Sequence, residues 1–150
     1  VAIVACVLYA ISARDTFRLR LPAQASSVGV ARRQVRSALS RWGLVGLGDD
    51  AGLVVSELFT NAVVHSGSDH VACLLWTARD KLHIEVVDEG RGPAGPLPRT
   101  AADGEESGRG LALVAHLAEG WGVRPPALGA GRAVWAILSC ARTEAARRSG

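Results

Sequence analysis

Phe17, Leu19 and Leu21 alternate with Arg18 and Arg20, the two-residue period of a strand with one buried face. The pattern then changes. In AQASSVGVARRQVRSALSRWG, residues Val28, Ala31, Val35, Ala38 and Leu39 fall on one stripe of a helix that Gly43 closes. After a glycine-punctuated turn, Asp49 or Asp50 is placed to cap a second helix, which runs to about Ser66 and breaks at SGSD. HVACLLWT and KLHIEVVD read as two strands, joined by the short link Ala78-Arg79-Asp80 at hairpin spacing. Residues 89–110 are glycine, proline and acidic residues, too polar for core and too long for an idle turn. A helix is predicted from Leu111 to about Ala118, with Leu113, Val114 and Leu117 inward, then a short strand near Trp121–Val123. RPPALGAG is a loop, and RAVWAILS a last strand.

The order is β-α-α-β-β-loop-α-β-β, with no internal repeat. Helices inserted among hairpin strands imply a two-layer α+β sandwich, a mixed sheet covered on one face by helices. With 150 residues, 49% hydrophobic and 21% charged, one folded domain is expected, over 15–140. Residues 1–14 read as an apolar extension, only about half of what a membrane-spanning helix needs, and 141–150 as a basic tail.

Net charge is +3, and all basic residues but Lys81 are arginine, seven of them between Arg14 and Arg41. Such a face can attract phosphates or an acidic partner, although a plain solvated surface explains it as well. Cys6, Cys73 and Cys140 are far apart and form no C-x-x-C pair. They suggest neither a disulfide framework nor a zinc site, so a reducing, cytoplasmic setting is expected.

Gly90-Arg91-Gly92-Pro93-Ala94-Gly95 has the spacing of a dinucleotide-binding loop. That loop must open directly into a helix, and Pro93, Pro96 and Pro98 forbid one. The preceding strand is more informative. Leu82, Ile84 and Val86 share one face, and Asp88 continues their row. A carboxylate on a core-facing row is costly without a partner. It either caps the next turn or serves as an acceptor aimed between the sheet and the helices.

Glu57, Asn61 and His65 are four residues apart, each about forty degrees round the second helix from the last, so they line one stripe. Glu and Asn there can serve a proton and a hard cation, although taken alone a polar helix face with an i,i+4 side-chain contact is the simpler account of the spacing. Gly108 and Gly110 flank Arg109 beside the third helix, where backbone N–H groups can meet phosphate oxygens. The string lacks the G-x-x-x-x-G-K-[ST] of a P-loop.

Taken in order, Glu57-x-x-x-Asn61, Asp88-x-Gly90-x-Gly92 and Gly108-x-Gly110-Leu111 resemble the nucleotide-binding boxes of the GHKL superfamily, which includes gyrase, histidine kinases and MutL. The resemblance covers roughly residues 15–140. SELFTNAVVHS and GRGLALV, with the strands after them, look like single-domain bacterial anti-sigma factor serine/threonine kinases. The resemblance implies a histidine kinase-like ATPase fold that uses ATP and Mg²⁺. It makes Asn61 the metal ligand, Glu57 the catalytic base or water-orienting carboxylate, and Asp88 the acceptor for the adenine amino group. Gly90 and Gly92 would shape the wall near the base, and residues 93–107 would form the lid. Gly108, Arg109, Gly110 and Leu111 would make the hinge and phosphate contacts. One departure stands out: many relatives carry a hydroxyl residue beside the aspartate after a Gly-Arg or Gly-Lys pair, and here Gly131-Arg132 precedes Ala133.

The implied activity is phosphorylation of a small anti-anti-sigma protein of the STAS class, with a sigma factor as second partner. Relatives are often homodimers; neither nucleic acid nor membrane is expected to bind directly. One alternative is an ATP-gated interaction module without phosphotransfer, and another is the catalytic domain of a truncated histidine kinase. Only 56 residues precede Glu57, and they read as an extension, one strand and one helix rather than a phospho-accepting helical hairpin.

Overall fold

The computed structural model describes residues 15–90, 105–126 and 131–140, the first five of the second segment by backbone alone. The expected N-terminal extension, the basic tail and residues 93–104 of the expected lid lie outside the described residues, as does Gly92. The elements are β1 (Thr16–Pro22), α1 (Ala25–Arg41), a 3₁₀ turn (Val45–Leu47), α2 (Gly48–His65), β2 (His70–Ala78), β3 (Lys81–Asp88), α3 (Glu105–Leu117), β4 (Gly120–Arg124) and β5 (Arg132–Ser139).

The sheet runs β1-β2-β3-β5-β4. Every neighbouring pair is antiparallel, so the two-layer α+β architecture stands while the expected mixed sheet does not. The joints explain this. Arg79 and Asp80 alone link β2 to β3, with φ of 50° and 60°, and a two-residue hairpin turn with both residues left-handed reverses the chain. β5 runs back along β4 and pairs on its other side with β3.

The alternation read from β3 holds. Leu82, Ile84 and Val86 are buried against the helices, and from α1 the core takes Ala31, Val35 and Leu39. Leu47, Val54, Val55, Leu58 and Phe59 add the 3₁₀ turn and α2. Burying each of these larger side chains contributes about 1.5–3 kcal/mol. Leu111, Val114 and Leu117 carry α3 onto this core, so the inward row begins at Leu111 and not at Leu113. α3 also starts six residues earlier than its sequence pattern suggests. Neither Asp49 nor Asp50 caps α2: the helix begins at Gly48, and both aspartates sit in its first turn, where they favour the positive end of the helix dipole.

The outer face of the sheet is finished differently. Trp76 stacks on His83 with ring centroids 5.0 Å apart and planes 8° from parallel. Trp135 lies over Gly122, where a β-carbon would come within 2.8 Å of the indole. Arg124 pairs with Glu85, and Arg20 spans β2 to reach Glu89 at 2.6 Å. Burial, and then the charge of Arg124, pushes His83 below its ordinary pKa.

Candidate functional site

Three connections bring the site to one end of the sheet. Only Ser66–Asp69 separate α2 from β2, so the C-terminal half of α2, with Glu57 and Asn61, lies at the end where Val71 pairs with Asp88. Asp88 pairs on its other side with Arg132, at the start of β5. β4 starts at the opposite end, opposite Ile137, and α3 leads into it, so α3 starts at the Asp88 end.

Asp88 is 6% exposed, at the foot of the apolar row Leu82, Ile84, Val86. Burial pushes its carboxyl above the ordinary carboxylate range, against the Arg132 charge and the Arg132 and Gly90 backbone N–H groups, which pull it down. The Arg132 N–H donates to Oδ1 at 3.2 Å. Gly131 brings β5 in at φ +111°, a left-handed value that glycine adopts without strain. A β-carbon there would run into the Asp88 backbone carbonyl and stand 2.8 Å from Oδ1. Gly90, with φ of 67°, turns the chain away on the other side, and the Arg20–Glu89 pair ties that turn to β1. Two backbone donors hold this buried acceptor, and one glycine gives it room.

No motif in the sequence assigns these roles to Gly131 and the Arg132 amide. The available signal is a glycine immediately ahead of a strand, which often marks close backbone approach. Ala133, by contrast, does not stand beside the aspartate. It pairs with Val87 on the outer face, whereas Arg132 pairs with Asp88. A hydroxyl at 133 would therefore point away from the carboxylate.

Glu57 and Asn61 are both partly buried on the α2 face toward α3, flanked by buried Val54, Leu58 and the partly buried Ala62. Neither makes a hydrogen bond or ion pair among the described residues. His65, the third member of the stripe, is exposed in the last turn of α2. Gly108, Arg109 and Gly110 lie inside α3 rather than ahead of it. The amides of Gly108, Arg109 and Gly110 thus fall beyond the four that a helix N-terminus leaves unpaired. Gly110 is buried, and Leu111 belongs to the core at 7% exposure, so its side chain anchors α3.

The donor set fits an adenine nucleotide with its metal. Asp88 is a desolvated acceptor suited to an amino group. Asn61 offers one amide oxygen, which suits Mg²⁺, an ion that keeps several waters and takes phosphate oxygens for the rest. No group of three or more His, Cys, Asp or Glu side chains that could hold a metal ion occurs among the described residues. No described helix is long and apolar enough to cross a membrane.

A family model for the histidine kinase-like ATPase domain matches residues 21–137. No curated protein matches the chain. Among solved structures, the chain is similar to the histidine kinase domain of the blue-light activated histidine kinase from Erythrobacter litoralis EL346. The TM-score is 0.51 and the identity 24%, over 91% of this chain and 73% of the other. That likeness is one of fold.

Proposed function

The chain belongs to the histidine kinase-like ATPase domain family, and from that premise we propose that it is an ATP-dependent protein serine/threonine kinase of the anti-sigma factor type. Its substrate is a STAS-class anti-anti-sigma protein, and it regulates transcription by holding a sigma factor. The observation that carries the reading is the pairing of a buried acceptor, Asp88, with a partly buried carboxylate, Glu57, one turn from Asn61 at the same end of the sheet.

Each residue has a separable task. Asp88 accepts the adenine amino group and rejects a base that offers a carbonyl there, because two acceptors facing each other stay unpaired. Asn61 would hold Mg²⁺ through its amide oxygen. The ion, when bound, neutralises phosphate charge. Glu57 takes or orients the proton of the attacking serine or threonine hydroxyl, a poor nucleophile that gains from a positioned carboxylate. A module that merely binds ATP needs no base at that position, so the presence of Glu57 favours phosphotransfer over simple binding.

The test uses labelled ATP, Mg²⁺ and STAS-class proteins captured from the native cell. Label is expected on a serine or threonine of the partner, and Asn61→Ala should remove both the transfer and the Mg²⁺-dependent part of ATP binding. If ATP binds and no partner is labelled, while partner affinity still changes with nucleotide, the ATP-gated interaction module replaces the kinase. Label on a histidine would make the chain the catalytic domain of a histidine kinase.

A further inference from the structure

Gly110 faces Glu57 across the contact between α2 and α3. A β-carbon at residue 110 would fall on the Glu57 carboxylate, with its carboxyl carbon 3.4 Å away and its own β-carbon 3.8 Å away. The three heavy atoms nearest that β-carbon all belong to Glu57. Gly110 has no left-handed φ, so the backbone itself tolerates alanine, a stronger helix former than glycine. Glycine inside the second turn of a helix is otherwise a loss of stability. What it provides here is space.

We propose that Gly110 is a positioning residue for Glu57: its missing side chain is the seat in which the carboxylate rests. The inference builds on the reading of Glu57 as the proton-handling carboxylate. The neighbouring α2 side chains Leu58 and Val54 are fully packed, so the carboxylate has a wall of core on one side and α3 on the other. Filling the seat displaces the carboxylate, the free end of a flexible side chain, far more readily than it displaces either helix. The cost therefore falls on proton handling more than on folding. It also makes the placement of α3 a condition for activity, because α3 carries the seat and starts beside Asp88.

Two measurements test this, one of them without nucleotide. In thermal unfolding, Gly110→Ala should be more favourable in a Glu57→Ala background than in the unmutated protein, by roughly 1–5 °C. That is the range expected when an off-rotamer side chain is relieved in a domain of this size. In kinetics, Gly110→Ala should lower kcat by roughly 10–100-fold, since general-base assistance is only partly lost. The same change should add little to Glu57→Gln, and Glu57→Asp, one methylene shorter, should recover part of the lost kcat in the Gly110→Ala protein. Equal melting shifts in both backgrounds would overturn the seat. A coupled melting shift with unchanged kcat would overturn its role in positioning. If the unmutated protein binds no ATP, the proposed function fails, and with it the positioning role; the melting cycle then reports the packing of the two residues alone.

Discussion

The two ends of the site are built on opposite principles. At the proposed base-binding end, Asp88 is buried, held by backbone N–H groups from residues on either side, and boxed in by Gly131. At the proposed catalytic end, the Glu57 and Asn61 side chains are only partly buried and make no hydrogen bond among the described residues. Glu57 rests against a glycine. Sheet ladders position the first, and the packing of two helices positions the second. Recognition of a rigid base gains from an acceptor fixed in advance. Proton transfer from a partner's hydroxyl gains from a carboxylate seated in place by the packing around it.

Breaking the catalytic end should have the largest effect, and on rate alone. Glu57→Gln keeps the shape and polarity of the side chain but cannot accept a proton. Transfer to a STAS-class substrate should fall by about 10²–10⁴-fold while ATP binding survives. A matching loss of ATP affinity in calorimetry would mean that Glu57 is part of the binding surface, and the contrast between the ends would disappear.

At the base end, the analogous glycine change should strike stability instead. Gly131→Ala forces a left-handed φ on alanine and drives its β-carbon into the Asp88 carbonyl. A loss of about 2–4 kcal/mol in denaturant unfolding is expected, from strain and overpacking together. Gly110→Ala, with no such backbone conflict, should cost much less. Comparable losses at the two glycines would refute the claim that one end is rigid and the other yielding.

Asp88→Asn should weaken ATP binding by about 1.5–3 kcal/mol, the scale of a hydrogen bond to a charged group, and should narrow the preference for ATP over GTP. Calorimetry with both nucleotides would decide it. An unmutated protein that binds ATP and GTP equally well would remove Asp88 from base recognition.

The smallest effect is one of pH. Burial raises the Asp88 carboxyl pKa in the folded chain, so folding favours its protonated form. Its contribution to stability is fully present below the ordinary carboxylate value and is lost as pH rises through the raised one. ATP binding runs the other way. An amino group needs the ionised acceptor, so affinity should fall below the raised pKa, by at most about tenfold per pH unit for one proton. Asp88→Asn should therefore flatten both profiles, the melting curve against pH and the calorimetric affinity against pH. If the Asp88→Asn protein keeps both profiles unaltered, they belong to other groups.

Much of this was legible in the chain before any tertiary contact was considered. The two-residue alternation of β3 places Asp88 at the end of the core-facing row, and the four-residue step from Glu57 to Asn61 places both on one stripe of α2. These follow from local geometry: strand pleat and helix pitch repeat over a few residues, and side-chain burial follows the repeat. The seven-element framework after β1 was readable for the same reason, apart from the early start of α3, where Glu105–Gly110 show no apolar periodicity to announce a helix. The tertiary structure decided the rest. The pairing of Asp88 with Arg132 joins residues 44 positions apart, and it turned Ala133 to the outer face and made Gly131 the spacer. The meeting of Gly110 with Glu57 depends on how α3 settles on α2. Strand register and helix packing depend on the shapes of distant side chains brought together, and no short-range period in the sequence encodes them.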